Sequence, residues 1–169
     1  MSRARQSGFT LLELMVVIAV LAILSAVAAP SIATFISTQR LRNAAFDLVS
    51  DLLLARNEAL NRQSNVVISP SSASGGEWSD GWTITSASGT TVTSRLGVPA
   101  VVRFVPADSS GNALASLTFA GTNGGRLATA ATPVQITVKA ADVDIGKWTC
   151  ITLDATGRAR AEKKSGGCT

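Results

Sequence analysis

Between residues 9 and 29 the chain carries only three polar side chains, Thr10, Glu13 and Ser25, in an otherwise apolar run. Wound as an α-helix, such a run rises about 31 Å, enough to cross the hydrocarbon core of a bilayer. A segment of this kind is not stable in water, so the chain must either place it in lipid or lose it to processing. Arg3 and Arg5 precede it, and no acidic residue comes before Glu13. The positive-inside rule then keeps the N-terminus in the cytoplasm and sends the residues after Pro30 outward.

A secretory signal peptide meets part of the same pattern, with a basic start, an apolar stretch over residues 14–24 and small residues at Ala26, Val27 and Ala28. Two features oppose it. Glu13 interrupts the apolar run, and helical periodicity resumes directly after Pro30, where a new N-terminus would begin. A carboxylate inside a membrane helix costs on the order of 2 to 3 kcal/mol on the mildest insertion scale and normally finds a cationic partner. No Lys or Arg follows Glu13 within two helical turns. Cutting the chain after Gly8 would expose an α-amino group on Phe9, which Glu13 of a neighbouring copy neutralises in a packed bundle. The unpaired acid then becomes an assembly device.

The residues Gly8-Phe9-Thr10-Leu11-Leu12-Glu13 resemble the prepilin peptidase motif of the type IV pilin and pseudopilin superfamily. The resemblance implies cleavage between Gly8 and Phe9, N-methylation of Phe9, and an assembly role for Glu13 at the fifth mature position. It implies as partners the prepilin peptidase, other minor and major pilins or pseudopilins, and the membrane. The implied location is a bacterial inner membrane, crossed once, with the head in the periplasm, and later the pilus or pseudopilus. The motif and its apolar continuation occupy only residues 1–29.

A length of 169 residues accommodates one modest head beside such an anchor. Pro30 is expected to bend the helix without ending it. Beyond it Leu41, Ala45, Leu48, Val49, Leu52, Ala55 and Ala59 recur at steps of three and four, while Arg40, Arg42, Asp47, Asp51, Arg56 and Arg62 fall elsewhere. This predicts an amphipathic helix to about residue 63, its apolar stripe packed on a sheet. From residue 66 onward, runs at 66–69, 82–85, 100–105, 116–119, 134–139 and 148–153 alternate or are β-branched, with glycine and proline between them. They predict an antiparallel β head, with loops at 70–81, 106–113 and 120–132. The last contains Gly121, Asn123, Gly124 and Gly125 but lacks the lysine and following helix of a phosphate-binding loop, so a flexible loop is expected. The expected fold class is α+β: a leader at 1–8, a transmembrane half-helix at 9–29, an amphipathic half at 30–63 and a β-rich head at 64–169.

Charge gathers at the C-terminus. Of the net +4, Arg3 and Arg5 supply two, whereas residues 147–169 set Lys147, Arg158, Arg160, Lys163 and Lys164 against Asp154 and Glu162, a net of +3. The stretch from Asp154 through Gly157, Arg158 and Arg160, close to a terminal cysteine, is similar to the minor-pilin family that includes FimT, FimU and the H-type pseudopilin of type II secretion. That resemblance implies a low-copy subunit near the tip, where initiation complexes form. On a strand, Arg158 and Arg160 project from one face. With Lys163 and Lys164 they reach successive phosphates, while Gly157 permits a tight turn. The likeness to FimT implies capture of double-stranded DNA by Gly157, Arg158 and Arg160 in natural transformation. A solvated edge strand, or a salt-bridged contact to the next subunit, explains the same residues, and both readings stand. No aromatic interleaves with the cations and Glu162 dilutes them, so binding would be salt-sensitive, weakly sequence-specific and without base stacking. Trp148 is expected in the core.

Cys150 and Cys168 make an even count in a chain expected to be exported, which favours a disulfide. Closing a loop of this length stabilises a fold by roughly 3 kcal/mol through the entropy removed from the unfolded chain. Their spacing is not that of a redox pair. A staple here holds the basic segment in a closed loop and lowers the ordering entropy lost on binding. Histidine is absent, which removes the commonest general base and metal ligand. With no Ser/His pairing, metal-ligand cluster or acid pair, the chain is expected to be no enzyme and to need no cofactor or small-molecule substrate.

Overall fold

The computed structural model describes residues 9–71, 77–98, 102–128, 132–140, 148–165 and 168. The chain divides into two compact units, Met1–Ile36 and Ser37–Thr169. Helix α1, Leu11–Arg62, contributes to both, and it passes through Pro30 without ending. The helix ends within one residue of the position expected from its periodicity.

In the first unit α1 is long and apolar enough to cross a membrane. Its large apolar side chains, Leu11, Met15, Ile18, Leu21, Ile23 and Val27 among them, are exposed on every side. An apolar surface that surrounds a helix has no stable solution in water and requires lipid or neighbouring helices. At Pro30 the carbonyl takes a bond from the hydroxyl of Thr34 at 3.1 Å.

In the second unit the helix buries Leu41, Ala44, Ala45, Leu48, Leu52, Ala55 and Ala59. The stripe repeats at three and four residues, and its alanines let the helix approach the strands closely. Two antiparallel sheets receive it. The first comprises β1 (Val66–Pro70), β2 (Gly81–Ser86), β3 (Thr91–Leu96), β5 (Leu117–Ala120) and β6 (Arg126–Leu127), in the order β3-β2-β1-β5-β6. The second comprises β4 (Val102–Ala107), β7 (Val134–Ala140), β8 (Trp148–Leu153) and β9 (Ala159–Lys164), in the order β4-β7-β8-β9. Alternate residues of both sheets, including Ile68, Ile84, Phe119, Ile136 and Ile151, join the helix stripe in one core. Trp82 lies at its centre, edge-on to Phe104 with ring centroids 5.5 Å apart.

Several expectations are corrected. Strand β3 lies where none was assigned, because its Thr- and Ser-rich pattern follows no burial alternation and Arg95 turns inward to a polar partner. Pro106 and Ala107 belong to β4, since a pairing with β7 carries the strand past the proline. The segment 120–132 is not a free loop: Gly121–Asn123 forms a 3-10 turn, β6 follows, and Gly121 and Gly125 are buried. Residue 100, where one strand was expected to begin, lies outside the described residues. Trp148 is only half-buried, while Trp78 and Trp82 take the core positions.

Asp51, assigned by periodicity to the polar side of the helix, is 4% exposed. Its Oδ2 accepts from Trp82 Nε1 at 2.8 Å and from Arg95 Nε at 2.5 Å, and its Oδ1 accepts from Arg95 Nη2 at 3.1 Å. The hydrogen bond that Arg95 donates to Asp51 is the main cause that holds the Arg95 pKa above its ordinary value. One carboxylate thus joins the helix to β2 and β3.

Cys150 of β8 is bonded to Cys168 with their Cα atoms 5.5 Å apart. The closed loop spans a sequence separation of 18 and contains the whole of β9. Replacing both cysteines with serine is expected to lower the unfolding free energy by about 2 to 3 kcal/mol, read by urea denaturation of the oxidised parent and the variant. An unchanged midpoint would show that the loop is already ordered without the bond.

Candidate functional site

Two groups of residues stand out, one in each unit. At the N-terminus Thr10 precedes the first turn of α1, and the backbone N–H of Glu13 donates to Thr10 Oγ1 at 3.2 Å. Glu13 Oε2 in return accepts from the Thr10 N–H at 3.2 Å and from its hydroxyl at 3.3 Å. This is a capping box, which satisfies two N–H groups that the helix start leaves unpaired. The Thr-x-x-Glu spacing of such a box is legible in the sequence. Phe9 is 79% exposed, and Gly8 lies outside the described residues.

The C-terminal group begins in the turn between β8 and β9. Asp154 Oδ1 accepts from the backbone N–H of Thr156 at 2.8 Å, from its hydroxyl at 2.5 Å and from the N–H of Arg158 at 3.1 Å. The Thr156 hydroxyl first, and the Arg158 N–H after it, hold the Asp154 carboxyl below the usual carboxylate range. Arg56 of α1 donates from Nε to the Thr156 carbonyl at 3.1 Å, which ties the turn to the helix. Gly157 is buried at the bottom of the turn with φ +76°.

Arg158 therefore lies in the turn and not on the strand, while Arg160 lies on β9; both side chains are exposed. In the β8–β9 register Arg160 opposes Thr152, Glu162 opposes Cys150 and Lys164 opposes Trp148. Directly opposed residues share a face, so Arg160, Glu162 and Lys164 form one row, and Lys163 turns to the other face. β9 is the edge of its sheet. Lys139 of β7 places Nζ 5.6 Å from the centroid of the Trp148 ring. Among the described residues no group of three or more His, Cys, Asp or Glu side chains gathers as metal ligands would.

The model of the type II transport protein GspH matches residues 44–157, from the buried helix stripe to the Gly157 turn. The chain belongs to the GspH family. A second model, the prokaryotic N-terminal methylation motif, matches residues 3–29. As a member of this family the chain is a minor pilin or pseudopilin, a subunit of a type IV pilus or type II secretion system. The Pseudomonas aeruginosa type IV minor pilin FimU shares its fold at a TM-score of 0.60 and 22% identity, over 76% of this chain and 92% of that one. The minor pseudopilin EpsH of the Vibrio cholerae Type 2 Secretion System does so at a TM-score of 0.53 and 11% identity, over 76% of this chain and 99% of that one. A comparison with curated sequences returns no match. The family assembles with other pilins or pseudopilins and is processed by prepilin peptidase, and its methylation motif with the apolar helix gives this member its membrane anchor.

Proposed function

We propose that this GspH-family subunit enters the initiating tip complex of a type IV pilus or type II secretion pseudopilus after cleavage between Gly8 and Phe9. The observation that carries this reading is the helix surface. Apolar side chains encircle α1 from Leu11 to Phe35, and Phe46 is 73% exposed on the part that packs against the head's strands. Such a surface fits a bundle of like helices entered from lipid. The head then stands in the periplasm, the N-methylated Phe9 amine lies beside Glu13 of a neighbour, and the two charges fix the axial register.

The capping box makes the choice of variant matter. Glu13→Ala removes both the charge and the cap, whereas Glu13→Gln retains a side chain able to close the box. Both variants are expected to be cleaved normally and to be lost from sheared fibres, measured by quantitative immunoblot of the processed and incorporated fractions. Incorporation of Glu13→Gln at the parental level would remove charge pairing from the reading.

A second reading, DNA capture, is favoured by the state of the two arginines. Arg158 and Arg160 are exposed, lie inside the disulfide-closed loop, and among the described residues neither guanidinium is held in an ion pair. The turn is satisfied by Asp154 and by backbone, leaving both cations for a ligand. Replacing both with Ala is expected to abolish gel retardation of duplex DNA and to leave folding and fibre incorporation unchanged. Losing two phosphate contacts would also lower the slope of log affinity against log salt by about two. Unaltered retardation would exclude this site.

A further inference from the structure

The end of β9 sets an aromatic ring among the cations. Leu41 and Arg42 of α1, Trp148 at the start of β8, and Lys163 and Lys164 at the end of β9 line a cleft of about 350 Å³. No carboxylate lines it among the described residues. Leu41 gives it an apolar floor, and three cations from two elements stand around it. Lys164 belongs to the β9 row that continues through Glu162 to Arg160, with Arg158 two residues earlier. Alternate residues along a strand are about 6.6 Å apart, so the cations extend away from the cleft as a track.

We propose that this cleft holds an unpaired base of a single-stranded nucleic acid, stacked on Trp148, while the sugar-phosphate chain follows β9 past Lys164, Arg160 and Arg158. The inference rests on the DNA-capture reading of the two arginines and narrows its ligand to a strand with free bases. A base in a duplex has both faces covered by its neighbours, and only an unstacked one enters a cleft. A single carboxylate of an acidic peptide would engage the cations of the cleft but leave the Trp148 ring and the row to Arg158 without a role. Stacking on aromatics beside a basic track is the usual means of holding single strands without sequence preference. Glu162, inside the row, opposes the phosphates, and Glu162→Gln should tighten binding.

Trp78 and Trp82 are 3% and 0% exposed, so quenching of intrinsic fluorescence reports on Trp148. The test uses the full chain in detergent micelles with an oligothymidylate and a duplex of equal length. Oligothymidylate is expected to bind about tenfold more tightly than duplex and to quench fluorescence in step with binding. Trp148→Leu should remove the quenching and weaken oligothymidylate about tenfold while leaving duplex affinity unchanged, and Trp148→Phe should restore most of the loss. Equal binding of both nucleic acids without quenching, with loss of both in the Arg158 and Arg160 variant, would overturn the base site and leave the arginine reading intact. If neither nucleic acid binds, both fall. Equal affinity and quenching by a glutamate oligomer would make the cleft a socket for acidic peptide and refute the proposal.

Discussion

Replacing Asp51 with Ala is expected to lower the unfolding free energy of the head by about 3 to 4 kcal/mol. The truncation removes three hydrogen bonds at once, and it strands the indole N–H of Trp82, which is 0% exposed and has no other acceptor among the described residues. An unsatisfied buried donor costs about 1 to 3 kcal/mol by itself. The Arg95 side chain is 41% exposed and recovers water, so its part of the loss is smaller than that of a fully buried ion pair. Asp51→Asn keeps an acceptor for Trp82 and gives up only the charge, and should cost about half as much. Thermal unfolding of both variants checks the ranking. A loss for Asp51→Ala below about 0.5 kcal/mol would mean that the carboxylate is not the joint between helix and sheet.

Asp51 also marks the limit of what the sequence discloses. Its apolar neighbours on the helix follow a stripe of three and four, and Leu41, Ala45, Leu48, Leu52, Ala55 and Ala59 are buried as that stripe requires, with Val49 packed at its edge. A hydropathy pattern assigns every carboxylate to water, because it cannot register a cation and an indole arriving from elements 31 and 44 residues away. The same blindness hid β3, whose inward residue is Arg95. Strands with apolar inner rows were legible: β1, β7 and β8 begin where the alternation begins. Trp148 was misplaced for the opposite reason. Composition puts a tryptophan in the core, but this one is the first residue of β8 and is only half-buried. The cations of the site were legible as a run, while their division between turn, outward row and opposite face depends on where β9 starts. Charge density is a property of the sequence, and direction comes from register.

Replacing Gly157 with Ala is expected to destabilise the head by about 3 to 4 kcal/mol, through two separable causes. The first is conformational, because φ is +76° and an L side chain in the left-handed region costs roughly 1 to 2 kcal/mol. The second is contact, because a Cβ would lie 2.4 Å from the carbonyl oxygen of Gly125 and 3.2 Å from both Arg56 Cδ and Phe119 Cδ1. Gly124 separates them: its φ is +68°, but a Cβ there meets nothing within 4 Å. Gly124→Ala should therefore show the conformational cost alone, about 1 kcal/mol, and the difference between the two variants measures the close approach of the turn to the helix and to Gly125. Denaturant midpoints of both give that difference, and equal losses would show that the backbone of 157 has room. The result bears on the site. If packing sets the glycine, it is required for this turn whether or not Arg158 and Arg160 grip a ligand, and failure of a Gly157 variant to bind DNA says nothing of its chemistry. The turn carries Arg158 and leads into Arg160 on the edge strand, and only variants that leave Gly157 in place can test what those arginines hold.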